Sequence, residues 1–421
     1  MQALCADRRQ QASSVAPLDI KALARHVFRK HSINSVVDAL AHYSRLLIQR
    51  EADSRRRSLR EILPGDGAVV QVNGRPLVDM ASNDYMGLAR NPLLVERAIE
   101  FTRQFGAGST ASRLLSGNIA PFERIERKLA ALKGTETALL LPTGFQANTT
   151  AIPALADSAR TQVLCDRLCH QSLLAGAQLS NGKWTRFAHN DVEALKTKIA
   201  ASDAERRVVV TESVFSMDGD VAPLDELVEA ATASGALLYV DEAHATGVQG
   251  PNGMGLAAGR LNPSLIAMGT FGKALGSFGA YIACTSEMRD YFINYCAGMI
   301  YTTALPPAVL GAIDAALDVI PTMERQRAML LSDADRLRTK LRAMGFDTGA
   351  SASQIIPIIV GSDQNAVSLA KHLEAGGFFA PAIRPPTVPE GSARVRLSLT
   401  ALHTREHLER LCLLMRDWRG N

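Results

Sequence analysis

Leu265-Ile266-Ala267-Met268-Gly269-Thr270-Phe271-Gly272-Lys273-Ala274-Leu275-Gly276 decides the reading of this chain. An apolar run of strand length passes into a turn of small residues that carries one lysine. Upstream, Leu237-Leu238-Tyr239-Val240 ends in Asp241-Glu242-Ala243-His244. Two buried strands that exit on a lysine and on an aspartate suit imine chemistry. The amine condenses with an aldehyde, and the carboxylate keeps a ring nitrogen protonated so that the ring can accept electrons. Taken alone, Lys273 reads more readily as a solvated loop lysine, so the rest of the chain has to decide.

From about residue 90, apolar runs at 138–142, 162–165, 207–212, 236–241, 265–269 and 279–284 alternate with amphipathic stretches that include 121–133, 191–201 and 223–234. This alternation predicts an α/β fold with a largely parallel sheet covered on both faces. Ligands of such sheets sit beyond the carboxyl ends of the strands, where Asp241 and Lys273 fall. Before it, Val36, Val37, Leu40, Tyr43, Leu46 and Leu47 recur at helical spacing and predict a helix over 33–62. Short strands are expected at 68–72 and 77–80. After it, Pro306-Pro307 opens a helical region, 307–345, followed by strands at 355–360 and 394–399 and helices at 364–376 and 404–417. The expected division is an arm over 1–75, a large domain over 76–306 and a smaller α+β domain over 307–421.

Composition narrows the function classes. The chain has 421 residues, 47% of them hydrophobic and 21% charged, as in a globular protein with real cores. No window approaches the ~18 consecutive apolar residues of a membrane span. A net charge of +4 and 5% aromatic residues give no argument for nucleic acid. The six cysteines, at positions 5, 165, 169, 284, 296 and 412, are scattered, which suits a reducing, cytoplasmic setting. Cys165-Asp166-Arg167-Leu168-Cys169-His170 lacks the spacing of a haem site and has no second ligand cluster, so no metal is expected. Arg55-Arg56-Arg57 lies in an amino-terminal stretch that reads as a solvated helical arm, since Asp7, Asp19, Glu51 and Asp53 break the acid-poor rule of transit peptides.

Other segments carry weaker signals. Asp241-Glu242-Ala243-His244 is spelled like a helicase box, but the chain lacks a phosphate-binding loop ending in Gly-Lys-Ser or Gly-Lys-Thr. Thr143-Gly144-Phe145-Gln146 follows a strand and opens a helix, where free backbone N–H groups can bind phosphate. Ser216 and Thr270 place hydroxyls at other strand ends, and each alone reads as a cap. His170, just after a strand, is by itself an ordinary structural histidine.

Together these segments resemble a known family. In order they are Asn83-Asp84-Tyr85-Met86-Gly87-Leu88, then 108–117 (Gly-Ser-Thr-Ala-Ser-Arg-Leu-Leu-Ser-Gly), Thr143-Gly144-Phe145, His170, Ser216-Met217-Asp218-Gly219, Asp241-Glu242-Ala243-His244, Thr270-Phe271-Gly272-Lys273, Tyr301-Thr302-Thr303 and Arg394-Val395-Arg396. Over about 75–415 the chain looks like the α-oxoamine synthases. These are pyridoxal phosphate enzymes of the aspartate-aminotransferase fold, with a large domain built on a mainly parallel sheet and a smaller α+β carboxyl-terminal domain.

The resemblance implies a role for each position. Lys273 binds the cofactor and then acts as the base, Asp241 pairs with the pyridine nitrogen, His244 bonds the ring hydroxyl, and His170 stacks on the ring. Ser216, Thr270 and the backbone of Gly144 and Phe145 hold the phosphate, joined by Thr302 from the partner of a homodimer. Arg396 clamps the substrate carboxylate in a bidentate fork, with Arg384, Asn83 and Ser112 also on the substrate side. The implied reaction joins an amino acid to an acyl thioester, carried on coenzyme A or acyl-carrier protein, with loss of carbon dioxide. The segments 382–389 and 187–192 point within the family to L-alanine and a pimeloyl thioester. Two readings compete. One is a relative using glycine, serine or another acyl donor. The other is a non-catalytic regulatory or binding subunit of the same fold, against which the joint presence of Lys273, Asp241, His170, His244 and Arg396 argues. Thr110 and Ala111 stand where the family usually has glycines, and the amino-terminal arm is longer than usual.

Overall fold

In a computed structural model, residues 33–260 and 262–418 are described, with side chains from residue 40. Contacts divide the chain into residues 1–59 and 60–421. In the first unit, a helix spans Ile33–Ala52. It ends ten residues short of the expected 62: Ser54 takes a left-handed φ of 56° and the Arg55 N–H closes back on the Arg50 carbonyl. The expected arm before residue 33 lies outside the described residues.

The second unit opens with an antiparallel sheet of β1 (Ile62–Pro64), β2 (Val69–Val72) and β3 (Arg75–Asp79). The expected runs become one seven-stranded sheet: β4 (Thr137–Leu141), β5 (Thr161–Asp166), β6 (Lys183–Phe187), β7 (Arg206–Glu212), β8 (Leu237–Asp241), β9 (Leu265–Thr270) and β10 (Ala280–Cys284). The order is β4-β10-β9-β8-β7-β5-β6. β9, β8, β7, β5 and β6 run parallel, while β10 is antiparallel to both its neighbours. The central strands β9 and β10 are buried at every residue, which is why their sequences read as unbroken apolar runs. β6 is the exception. Its Lys-Trp-Thr-Arg-Phe sequence is polar because it forms an exposed edge, so it shows no apolar run.

The carboxyl-terminal third supplies β11 (Ile355–Gly361), β12 (Phe378–Phe379), β13 (Ala382–Ile383) and β14 (Ala393–Ser398). β11, β14 and β13 form an antiparallel sheet, and β12 adds in parallel to β3. The expected helical region 307–345 is two helices, Pro307–Val319 and Glu324–Ala343. Pro321 lacks the N–H and crowds the preceding turn, and a short 3₁₀ turn at Ile320–Thr322 takes its place.

Candidate active site

Three strands of the large sheet finish side by side on Glu212, Asp241 and Thr270. Glu212 and Asp241 are direct register partners, and Asp241 is paired with Met268 on β9. The helix Gly144–Leu155 starts at the same edge: a Cβ placed on Gly144 would lie 3.9 Å from the Thr270 Cβ. Thr143 caps this helix, its hydroxyl accepting from the Gln146 N–H at 3.0 Å. The N–H groups of Gly144 and Phe145 therefore remain without intrahelical acceptors. Free N–H groups at a helix start are what an anion site requires.

Lys273 sits in the hairpin turn between β9 and β10. Thr270 Oγ1 donates to the Gly279 carbonyl (2.8 Å) and accepts from the Gly272 N–H (3.1 Å), which closes the turn beneath the lysine. Lys273 Nζ is 2.8 Å from His244 Nε2, and His244 Nδ1 is 2.7 Å from the Tyr85 hydroxyl. Enclosure lowers the Lys273 amine to about 8; Asp241 and Glu212 oppose the fall and Arg396 deepens it. Burial likewise drives His244 far below its usual range, helped by the positive charges of Lys273 and Arg396. A neutral imidazole thus links the amine to a buried phenol.

Asp241 is held on both oxygens. Oδ1 accepts from the Ala243 N–H and Oδ2 from Asn148 Nδ2, each at 2.8 Å. Asn148 is almost wholly buried; its Oδ1 accepts from the Tyr239 hydroxyl at 2.9 Å, and its Nδ2 also reaches Ser172 Oγ at 2.9 Å. Ser172 Oγ lies 2.8 Å from His170 Nδ1 and so sets the ring of that histidine. Glu212 joins the next two turns: Oε1 accepts from the His170 N–H (2.5 Å) and Oε2 from the Ser216 N–H (3.3 Å). Burial, and then the charge of Asp241, push the Glu212 carboxyl well up.

Arg396 arrives from β14, where Arg394, Arg396 and Ser398 share a face by the two-residue period of a strand. Its Nε donates to the Ser216 carbonyl at 2.6 Å and a terminal nitrogen to Ser398 Oγ at 2.7 Å. Both terminal nitrogens donate to Asn83 Oδ1 at 3.2 Å, and one also to the Tyr85 hydroxyl at 3.1 Å. The Asn83 amide oxygen therefore occupies the fork that a bidentate carboxylate would take.

The cluster thus brings together Lys273, His244, Asp241, His170, Ser216, Asn83 and Arg396, with Thr270 and Gly144 beside it. Ser112, Thr302 and Arg384 lie on other segments. Ser112 precedes the tight turn Arg113–Gly117, in which Arg113 pairs with Glu126. Thr302 follows the helix Ala297–Ile300, and its segment is joined to the Ser112 loop by Ala304 N–H to Ala111 O (3.0 Å) and Ser109 Oγ to Leu305 O (2.6 Å). Arg384 lies between β13 and β14. Phe145, Leu114, Leu115 and Tyr301 are exposed.

Sequence reasoning assigned no role to Tyr85, Asn148, Ser172 or Glu212. Asn148 stands one helical turn after Gly144, but Gln146, Thr149 and Thr150 are polar beside it, and only its burial sets it apart. Glu212 closes an apolar strand just as Asp241 does.

The donor set fits pyridoxal phosphate. It offers an amine of lowered pKa for the aldehyde, a fixed carboxylate for the ring nitrogen, and a helix start for the phosphate. The family model for aminotransferase class I and II matches residues 75–413. A protein of Desulfosudis oleivorans is 55% identical over 376 residues, 89% of this chain and 97% of its own. The 8-amino-7-oxononanoate synthase of Gluconacetobacter diazotrophicus is 49% identical over 377 residues, 87% of this chain and 94% of its own. Among solved structures, an SPT with PLP superposes at a TM-score of 0.84 with 30% identity, covering 90% of this chain and 98% of that one. The 8-amino-7-oxononanoate synthase of Francisella tularensis superposes at 0.71 with 26% identity, covering 81% and 97%.

Proposed function

Because the chain belongs to the aminotransferase class I and II family, and its site fits pyridoxal phosphate, we propose that it is an 8-amino-7-oxononanoate synthase. On this reading it condenses L-alanine with a pimeloyl thioester, releases the thiol and carbon dioxide, and yields 8-amino-7-oxononanoate. The observation that carries the proposal is the bonded path Lys273–His244–Tyr85–Arg396, which sets the reactive amine and the carboxylate clamp in one cluster. The identity of about half to the named relative over most of both chains supports the choice of substrates.

When bound, the cofactor supplies an electron sink for the carbanion left at the amino acid α-carbon. The chain's own residues do the rest. Lys273 Nζ, neutral above about pH 8, takes up the α-proton and later returns it. Asp241, braced by Asn148 and the Ala243 N–H, holds the ring nitrogen protonated. His170 covers one ring face. The N–H groups of Gly144 and Phe145 would hold the phosphate with Ser216, and with Thr270 once its hydroxyl turns from the Gly279 carbonyl. Arg396 orients the amino acid carboxylate once Asn83 Oδ1 leaves the fork, and Arg384 and Ser112 fall to the acyl side.

The homodimer and the cytoplasmic setting belong to the same proposal. Exposed Phe145, Leu114, Leu115 and Tyr301, on segments joined by the Ala304–Ala111 and Thr150–Cys296 bonds, offer an apolar surface to a second copy, and Thr302 of the partner subunit then completes the phosphate site. The five described cysteines are free and buried, as suits a reducing compartment. No described helix is long and apolar enough to cross a membrane. The domain division at 75/76 and 306/307 stands with these proposals.

A second reading, with serine or glycine and another acyl donor, is favoured by the higher TM-score to the SPT structure. One experiment separates the two. The protein is incubated with pyridoxal phosphate, L-alanine and pimeloyl-coenzyme A, and thiol release is followed with product mass. Release with the mass of 8-amino-7-oxononanoate supports the proposal. Release only with serine or glycine and a different acyl donor selects the second reading.

A further inference from the structure

Two residues past the edge strand β6, His189 stands between two aspartates that the reaction above leaves without a task. Nδ1 is 2.9 Å from Asp166 Oδ1, and Nε2 is 2.6 Å from Asp220 Oδ2. Both aspartates are buried, while a quarter of the histidine side chain reaches solvent. With a carboxylate at each nitrogen, both nitrogens carry hydrogen and the ring is a cation. Burial pulls its pKa down, but the bonds and charges of Asp166 and Asp220 outweigh that and raise it to about 10. The Phe215 ring meets it edge-on, with centroids 4.4 Å apart and planes at 87°.

Each aspartate is also built into a turn that delivers a site residue. Asp166 Oδ1 accepts from the Leu168 N–H at 2.8 Å, two residues before His170, and its Oδ2 accepts from the Asn190 N–H at 2.8 Å. Asp220 ends the turn that begins at Ser216: the Phe215 N–H donates to the Asp220 carbonyl at 3.0 Å, and Asn190 Nδ2 to Asp220 Oδ2 at 2.8 Å. The far side of this turn is pinned separately. Gly219 has φ 67°, and a Cβ there would lie 2.1 Å from the Ile355 carbonyl oxygen. Arg394 bonds Asp218 at 2.5 Å, and Arg396 bonds the Ser216 carbonyl at 2.6 Å.

We infer that His189 is a positioning residue: one imidazolium ties the His170 turn to the Ser216 turn and fixes the distance between two cofactor contacts. This rests on the reading of His170 and Ser216 as such contacts. It goes beyond charge balance, because a cation that only neutralised the aspartates would not need to bridge two turns.

The test uses four full-length proteins: wild type, Ser216→Ala, His189→Gln, and His189→Gln with Asp220→Asn. Pyridoxal phosphate affinity is measured by equilibrium dialysis, and each cofactor-stripped chain is melted. His189→Gln is expected to weaken binding about tenfold, the loss typical when a group that orients a direct contact is removed, and Ser216→Ala, which removes a direct contact, at least as much. His189→Gln also melts lower, because two carboxylates lose their cation. The double variant sheds one of those charges, so it regains much of the melting temperature while its affinity stays about tenfold weak. Wild-type affinity in His189→Gln, or affinity recovering along with the melting temperature in the double variant, overturns the inference. Wild-type affinity in Ser216→Ala overturns the site assignment beneath it instead.

Discussion

Tyr85→Phe is the sharpest probe of the path between amine and clamp. The substitution keeps the buried ring and deletes one oxygen. That oxygen holds three partners: His244 Nδ1 at 2.7 Å, Asn83 Oδ1 at 3.0 Å and an Arg396 terminal nitrogen at 3.1 Å. Arg396 loses an acceptor in a buried setting, which costs about 1.5–3 kcal/mol for a bond to a charged group. His244 loses a neutral partner, which costs about 1 kcal/mol. Asn83 keeps both bonds from Arg396 and loses little. The sum is about 3 kcal/mol, or about a hundredfold in an equilibrium or a rate. The loss should appear in kcat/KM for L-alanine, because on the proposed reading Arg396 orients the amino acid carboxylate. KM for the acyl thioester should change by less than about threefold, since the acyl side is assigned above to Arg384 and Ser112. Steady-state kinetics with each substrate varied in turn measures both. A Tyr85→Phe enzyme whose kcat/KM for alanine stays within about threefold of wild type would refute the reasoning, because Arg396 and His244 would then not depend on the phenol.

Three further outcomes are expected. The Lys273 pKa of about 8 means that the stripped protein should capture pyridoxal phosphate faster as pH rises through about 8 and level off above it, because only the neutral amine attacks. Stopped-flow absorbance checks this, and a rate still climbing steadily toward pH 10 would contradict the lowered value. Lys133 and Glu242 form an ion pair that is fully buried. Lys133→Met alone should cost about 3–5 kcal/mol, and adding Glu242→Gln should recover most of it. Urea midpoints report both, and a double variant no better than the single one would count against this account. Thr110, at φ 57°, is a β-branched residue in left-handed backbone. Relief of about 1–2 kcal/mol, less the entropy cost of glycine of about 0.5–1 kcal/mol, should leave Thr110→Gly slightly more stable. A lower urea midpoint would refute that.

The large sheet was legible because its middle strands are buried on both faces, and the central expected runs match β4, β5 and β7–β10 to within a residue or so at each end. The polar edge strand β6 and the two-residue β12 and β13 carry no such signal, since their places are set by pairing rather than by burial. Pro321 was in plain view and marks where one expected helix becomes two. Among the proposed site residues, Asp241, Lys273, Ser216 and Thr270 stand at strand exits, although Lys273 alone reads as a loop lysine and Ser216 and Thr270 alone read as caps. Asn83 and Arg396 met only through the resemblance, because their side chains converge from residues 313 positions apart. That convergence depends on β14 lying against the Ser216 turn, which no local pattern encodes. Asn148, Ser172 and Glu212 act by bracing other groups, and a bracing role has no sequence spelling of its own.

The reversed direction of β10 bears on how the molecule can move. Because β10 leaves the edge at which β9 arrives, the turn bearing Lys273 has both its footings in one rigid sheet: Ala280 pairs with Thr270, and the Phe271 N–H bonds the Gly279 carbonyl at 2.9 Å. Arg396 stands on a different platform, the three-stranded sheet of β11, β14 and β13. The amine and the proposed substrate grip are thus mounted on separate sheets, tied by the bond from Arg396 to the Ser216 carbonyl. On the proposed reading, a substitution that shifts β14 therefore reseats the amino acid carboxylate while the turn bearing Lys273 keeps its footing in β9 and β10, so the mount of the grip can be altered and that of the amine left untouched.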